Sequence, residues 1–387
     1  MIPLSTGRRL AALALLALSL PAAAAAQGRG DGYPWKLSTV PYVGTAPNDW
    51  PMFDLYAVYR KQADYYASTA EAAALSFDAG MAWHGSWKGV ASFRAPQLWP
   101  GWRLAATAGA SQDVRFGYFG LGNETAFDQD LSDTAGNYYR DRRTRYFGRA
   151  EGSRLFLTHF RVSLALGIEN SRIAGLTGPS LFATDYGAEV VQTITTERLT
   201  LVFDTRDREY NPSRGVFIEA SALAGEGLSG SKAGYSQVTV IARGYFSPRE
   251  GTVLAARLGG SGDGGEVPLA SRYELPVWEN QLSILGGANT QRALWEGRYA
   301  GGGVLFGGAE VRHDLLNLND LGAITVLAFV DAGRVFDQNG FSLTTEGLHV
   351  GGGGGLALRV MRSSIFVFNF AGGPMGFNFT AGTGWSF

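Results

Sequence analysis

The 387-residue chain contains no cysteine, which removes disulfide frameworks, thiolate metal centres and a cysteine nucleophile together. Charged residues are sparse, at 17%, against about 25% in an average soluble domain. The 33 basic side chains are offset by 34 acidic ones. With no polybasic stripe, nucleic acid is not an expected partner. The four histidines, His84, His159, His313 and His349, are scattered without metal-ligand spacing. No G-x-S-x-G elbow places a nucleophile, so neither a catalytic residue, a metal site nor a cofactor is expected. Beyond the N-terminal segment there is no apolar run long enough to cross a bilayer as a helix.

Glycine and aromatic residues are what the chain has in excess. There are 54 glycines, about twice the usual share of ~7%. Aromatic residues make up 12%, and the mean hydropathy is −0.02. That combination suits an all-β protein whose side chains alternate between two solvents. At the N-terminus, Arg8 and Arg9 precede an apolar run, Leu10 to Leu20, then Pro21 and the small residues Ala22 to Ala26. Residues 1–26 therefore read as a signal peptide cleaved before Gln27. The exported remainder divides into an N-terminal segment, 27–50, with room for a first strand, and a barrel, 51–387.

Period-two patterning supplies the fold. In Thr196–Asp207, Leu199, Leu201, Phe203 and Thr205 share one face; Arg198, Thr200, Val202, Asp204 and Arg206 share the other. Val238, Val240, Ala242 and Phe246 likewise alternate with Gln237, Thr239, Arg243 and Tyr245, and Leu305, Ala309 and Val311 with Glu310, Arg312 and Asp314. At the C-terminus, Phe379, Ala381, Thr383, Trp385 and Phe387 form the apolar face. Charges repeated on the inner face are costly in a dry sandwich core and natural in a barrel with a wet lumen. Short links, such as Ala95–Gly101 and Glu209–Arg214, alternate with longer ones, such as Gly117–Arg142, Ala174–Thr195, Gly225–Gly234 and Gly264–Gly302. The pattern predicts a transmembrane antiparallel β-barrel, because only a closed sheet satisfies its backbone in lipid. Sixteen strands are expected and fourteen are the alternative, the weak pair lying at Trp35–Val43 and Pro51–Tyr59.

Several motifs then resemble the bacterial surface antigen superfamily, the BamA/TamA family of outer-membrane barrels and its two-partner secretion relatives. Asp204-Thr205-Arg206-Asp207 followed by Asn211-Pro212-Ser213-Arg214-Gly215 is similar to that family's D-x-R-D…N-P-x-x-G periplasmic hairpin. Phe329-Val330-Asp331-Ala332-Gly333 resembles its F-x-D-x-G strand. Gln291-Arg292-Ala293-Leu294, with Arg298 following, stands where the family has an R-G-F or R-G-Y loop tip. Tyr118 to Asn123 resembles the segment before a long loop, and Gly384-Trp385-Ser386-Phe387 a C-terminal assembly signal carried by Trp385 and Phe387. The resemblance runs from about Phe119 to Phe387.

It implies that the long extracellular loop folds inward and that Arg292 pairs with Glu310 and Asp331 on the barrel wall. The residues themselves agree. Both acids fall on lumen-facing positions of neighbouring strands, and a planar guanidinium can bridge two carboxylates. The alternative is three separately solvated charges. Ala293 and Leu294 depart from the family pattern, and alanine does not cheaply adopt φ > 0, so a different tip conformation is expected. The glycines Gly351 to Gly355 offer a place for a plugging loop to pack.

Other features have plainer readings. Asp128, Asp130 and Asp133 lack the spacing of a calcium loop and read as a solvated loop. Arg140, Arg142, Arg143 and Arg145 read as a charge cluster at a loop edge, with lipopolysaccharide phosphates as the alternative ligand. Trp83, Trp87, Trp99 and Trp102 suit the interface girdle. Too few residues lie between the cleavage site and the barrel for a periplasmic POTRA domain, given that domains start near ~50 residues. The expected function is a gated outer-membrane pore or transporter. A reduced assembly or secretion factor acting with a separate partner, or a non-catalytic surface antigen, are the alternatives. The expected partners are outer-membrane lipid and lipopolysaccharide, the barrel-assembly machinery during biogenesis, and a periplasmic partner or a second copy.

Overall fold

A computed structural model describes residues 33–46, 49–278, 280–337, 340–361 and 364–387. Residues 1–26, expected to be a signal peptide, lie outside the described residues. Sixteen strands form one antiparallel meander, from β1 (Lys36–Ala46) through β11 (Thr252–Glu266) and then from β14 (Gly303–Asn317) to β18 (Gly376–Thr383). A separate two-stranded hairpin, β12 (Glu274–Val277) with β13 (Asn280–Ser283), lies between β11 and β14 in sequence. Strands β1 and β2 (Asp49–Gln62) are the pair that the sequence placed at Trp35–Val43 and Pro51–Tyr59.

Side-chain alternation follows from the pleat and separates two environments. On β8 (Glu189–Asp204), Arg198, Thr200 and Val202 are buried, whereas Leu199 and Leu201 are each about half exposed. The same holds for Val238 and Val240 on β10 (Gly234–Arg249) and for Leu254 and Leu258 on β11. An outward band of leucine, valine and phenylalanine this extensive is anomalous against water and suited to hydrocarbon. Among the described residues no helix is long and apolar enough to cross a membrane. Trp83, Trp99 and Trp102 are exposed near strand ends, as girdle residues are.

Three expectations need correction. Half of the segment Gly225–Gly234 is strand, because β9 (Gly215–Leu228) pairs with β10 as far as Glu226 opposite Gly234, and only residues 229–233 form the link. Gly225 and Gly227 are packing positions: a Cβ on Gly225 would lie 2.1 Å from the Tyr235 ring. The last strand ends at Thr383, and Gly384 takes φ +81°, so Trp385 and Phe387 leave the alternating outer face and turn into the barrel. Phe387 is buried there with Tyr245 and Ala255. Finally, Arg143 and Arg145 lie on the lumen face of β6 (Arg140–Leu155), where Arg143 meets Glu274 at 2.9 Å and Arg145 meets Glu169 at 2.6 Å. These two arginines hold the barrel interior and belong to no surface cluster. Asp128, by contrast, caps the short surface helix α1 (Gln129–Thr134) by accepting from Leu131 N.

The barrel has a seam. Strands β1 and β18 approach each other, but among the described residues no hydrogen-bonded ladder joins them. The hairpin after β8 is braced by side-chain bonds from Asp204, Arg206, Asp207 and Ser213. Gly215 sits at φ +106°, and a Cβ there would lie 2.4 Å from the Thr205 carbonyl oxygen. Gly215→Ala should therefore destabilise the folded barrel by about 1–3 kcal/mol and lower its thermal unfolding temperature. Gly89→Ala, which meets no atom within 4 Å, should leave it unchanged or slightly raised. Equal behaviour of the two variants would contradict the strain argument.

Candidate functional site

The segment between β11 and β14 folds into the lumen as a plug. Tyr273, Leu275, Val277, Leu282, Ile284, Leu285, Leu294 and Tyr299 are buried in one cluster with the wall residues Ile173, Ile241, Val304, Phe306 and Val335. Each large side chain so buried contributes roughly 1.5–3 kcal/mol, so the plug holds by apolar packing as well as by charge. The wet lumen expected from the inner-face charges is, at this level, a packed interior in which those charges are paired.

Glu310 on β14 and Asp331 on β15 (Gly322–Phe336) are set by strand register. Glu310 lies opposite Phe329 and Asp331 opposite Gly308, so the acids are diagonal neighbours on the lumen face. Gly308 is required there: its Cβ would approach Asp331 Oδ1 to 2.4 Å. The Arg292 guanidinium lies 3.5 Å above the Phe329 ring centroid. From there Nε donates to Asp331 Oδ2 at 2.7 Å and Nη2 to Asp331 Oδ1 at 3.0 Å, while Nη1 donates to Glu310 Oε2. The Arg292 backbone N–H adds a bond to Asp331 Oδ2 at 3.1 Å. Arg292 is 1% exposed. Removing one partner of such a buried pair leaves an uncompensated charge, at about 3–5 kcal/mol. The F-x-D motif thus supplies a ring beneath the guanidinium and a carboxylate beside it from positions two apart on one face.

The tip resolves the departure from the R-G-F pattern. Positive φ falls on Gly286 and Gly287 upstream, and Ala293 is not among the positive-φ residues. Ala293 packs into a gap left by two glycines: Cβ atoms on Gly351 and Gly373 would lie 2.3 and 2.8 Å from its own. Of the glycine run, Gly351 receives the plug, whereas Gly353 and Gly355 face the backbone of the next strand. Downstream, Arg298 donates to Thr125 Oγ1 at 2.8 Å and Thr125 O at 2.6 Å. Asn123 accepts from Val335 N at 3.1 Å and donates to Gly347 O at 2.9 Å. The outer loops are tied over the plug by these bonds.

At the other end of the barrel lies the hairpin between β8 and β9. Arg206 Nε and Nη2 donate to Asp204 at 2.9 and 2.8 Å, with the guanidinium 4.4 Å from the Phe217 ring centroid. Asp207 accepts from Ser213 N at 2.9 Å and Ser213 Oγ at 2.7 Å, closing the turn around Pro212. Trp385 Nε1 donates to Asn211 Oδ1 at 2.8 Å, joining the C-terminal residues to this hairpin. A cavity of about 580 Å³ lies here, lined by Arg206, Glu219, Arg243, Trp278 and Phe387. A second cavity, of about 590 Å³, lies on the outer side, beside Leu121, Leu269, Arg272 and Asp337.

Sequence reasoning missed Arg257, and placed Arg312 and Asn378 on the inner face without a role. Arg257 donates to Thr290 O at 2.9 Å, Asn378 to Arg292 O at 2.9 Å, and Arg312 Nε to Glu310 Oε1 at 2.6 Å. All three were visible as polar residues on the inner face of strands whose alternation is plain.

With the site described, comparison with known proteins places it. A model of the Omp85 superfamily domain matches residues 71–383. The chain belongs to the Omp85 superfamily. It is a BamA/TamA-like outer-membrane barrel. Its fold is similar to BamA from Haemophilus ducreyi lacking POTRA domains 1–3, at 13% identity and TM-score 0.57, covering 92% of this chain and 71% of that one. CdiB from Escherichia coli matches at 11% identity and TM-score 0.57, covering 92% and 62%. CdiB from Acinetobacter baumannii matches at 12% identity and TM-score 0.50, covering 90% and 65%. The chain therefore spans less than two thirds of either CdiB structure. A comparison with curated protein sequences found no match.

One plug residue of this Omp85 barrel carries a pH signature. Glu296 is an exposed residue of the plug, yet enclosure by the surrounding protein, together with Asp113 and Glu274, pushes its carboxyl up to about 7 from 4.5. Between those values the folded state holds a proton that the unfolded chain has lost, so this group makes stability fall as pH rises, levelling off above 7. Thermal unfolding followed from about pH 5 to pH 8 should show that fall, and Glu296→Gln should flatten it. An unchanged pH profile in the variant would remove Glu296 as the cause.

Proposed function

We propose that this Omp85 barrel is a gated passage through the outer membrane, closed at rest by the plug and locked by Arg292, Glu310 and Asp331. The observation that carries the reading is a fully buried arginine on an inserted loop, bound to two wall strands, with open cavities on both sides of the plug. A pore serving only as a rigid wall has no use for a separately fastened insert. Opening breaks the guanidinium contacts and moves the tip off Gly351. The reading is non-catalytic, and the solute class is not specified by the lining.

The seam favours a second reading, an assembly or secretion role with a partner. Unpaired strand edges in hydrocarbon are costly, and an edge of this kind accepts an added strand. A periplasmic chaperone or client chain captured by the folded barrel would support it. Under either reading the chain is exported by cleavage of residues 1–26, is inserted by the barrel-assembly machinery and contacts lipid and lipopolysaccharide. Trp385 and Phe387 serve as an assembly signal only before folding, because both are turned inward afterwards.

The test is planar-bilayer conductance of the purified, heat-modifiable barrel. Arg292→Ala should raise the time-averaged current at least tenfold, since the lost charge pairing exceeds the ~1.4 kcal/mol that a factor of ten requires. Current traces identical to those of the unmodified protein, with the variant folded, would overturn the lock.

A further inference from the structure

Beside its ion pairs with Glu310 and Asp331, the plug tip has a second set of holds. Asn378, on the lumen face of β18, donates Nδ2 to the carbonyls of Arg292 at 2.9 Å and Leu294 at 3.1 Å, gripping the backbone on both sides of Ala293. Beyond Gly384 the same segment adds two further links. Arg257, which donates to Thr290 O at 2.9 Å and to Asn289 O on the plug, also donates to Ser386 O at 3.2 Å. Arg312, bound to Glu310 at 2.6 Å, donates to Phe387 O at 2.7 Å and lies 4.1 Å from the Trp385 ring centroid. Thus the lock acid Glu310, the tip carbonyls and the tip-side arginine all reach β18 or the residues that follow it.

The other half of the plug is fastened to a different wall. Arg198 on β8 donates to Val277 O and pairs with Glu151 on β6 at 2.9 Å. Glu219 on β9 accepts from Trp278 N at 2.7 Å. The β12–β13 hairpin therefore depends on β6, β8 and β9, and the tip on β14, β15 and β18. Strand β18 has only eight residues and, among the described residues, no ladder on its outer edge.

We propose that β18 is the release lever of the plug, with Asn378, Arg257 and Arg312 as positioning residues. Displacing β18 at the seam withdraws the Asn378 grip and the inward-turned residues, and the tip loosens while the β12–β13 hairpin stays seated. The inference rests on the plug reading above. It adds a mechanical coupling that neither the lock residues nor the seam supplies alone.

The absence of cysteine makes the coupling measurable without background. Leu294→Cys and Leu275→Cys place single buried thiols on the tip and on the hairpin, and maleimide labelling of the full-length folded barrel reports each separately. Asn378→Ala should speed labelling at position 294 about tenfold, the scale of losing one buried hydrogen-bonding side chain, with position 275 unchanged. Asn378→Asp, of the same shape but lacking the donor, should give the same split. If a cysteine variant loses heat-modifiability, hydrogen exchange of amides 287–294 against 274–283 in the cysteine-free barrel makes the same comparison. No change at the tip, or equal acceleration at both places, would overturn the lever. Because the readout is plug exposure and not current, its failure is distinguishable from failure of the passage reading.

Discussion

Burying a guanidinium at 1% exposure is possible only if its charge is met on the spot, and the Arg292 site shows how much of the barrel serves that requirement. Two carboxylates must come from adjacent strands, so the register between β14 and β15 is constrained. A ring must lie beneath the cation, which fixes Phe329. Room must be left for the loop that carries the arginine, so Gly308, Gly351 and Gly373 cannot acquire side chains. Glu310 then needs a second cation for its other oxygen, and Arg312 supplies it.

The bilayer imposes the complementary constraint. The outer face must be apolar at every second position, and every polar group of the lumen must find its partner inside. Ion pairs such as Glu151–Arg198 and Arg145–Glu169 meet that demand around the plug. Among the described residues, every pair of neighbouring strands in the sheet shares a ladder except β1 and β18. Placing the least-paired strand next to the most heavily braced loop links the weak part of the wall to the closure of the lumen. A charge lock on a uniformly closed barrel would lack that link.

Much of this was legible before any coordinates. The alternation of Leu199 and Leu201 with Arg198 and Thr200 defines a wall with two solvents, and the sixteen strands follow from repeating that reading between the turns. Arg292, Glu310 and Asp331 were singled out by motif and by face, and the structure places them in contact. Two kinds of feature were not legible. Glycine-rich segments such as Gly225–Gly234 read as loops, because a glycine that makes room for Tyr235 looks in sequence like a glycine that turns the chain. The inward turn after Thr383 depends on tertiary partners, Arg257, Arg312 and Asn211, that a local period cannot reveal. The roles of Arg143 and Asn378 were hidden for the same reason: their partners, Glu274 and the tip carbonyls, belong to a plug whose path is not periodic.

The central claim is that Arg292 and the wall acids act as one energetic unit. A double-mutant cycle of Arg292→Gln and Asp331→Asn, read as the unfolding free energy of the folded barrel, measures that directly. Each single variant should cost about 3–5 kcal/mol, and the double variant little more than either alone, because the second substitution removes a charge already stranded by the first. Additive losses, with the double variant costing the sum of the two, would show that the residues are separately solvated charges and would contradict the account.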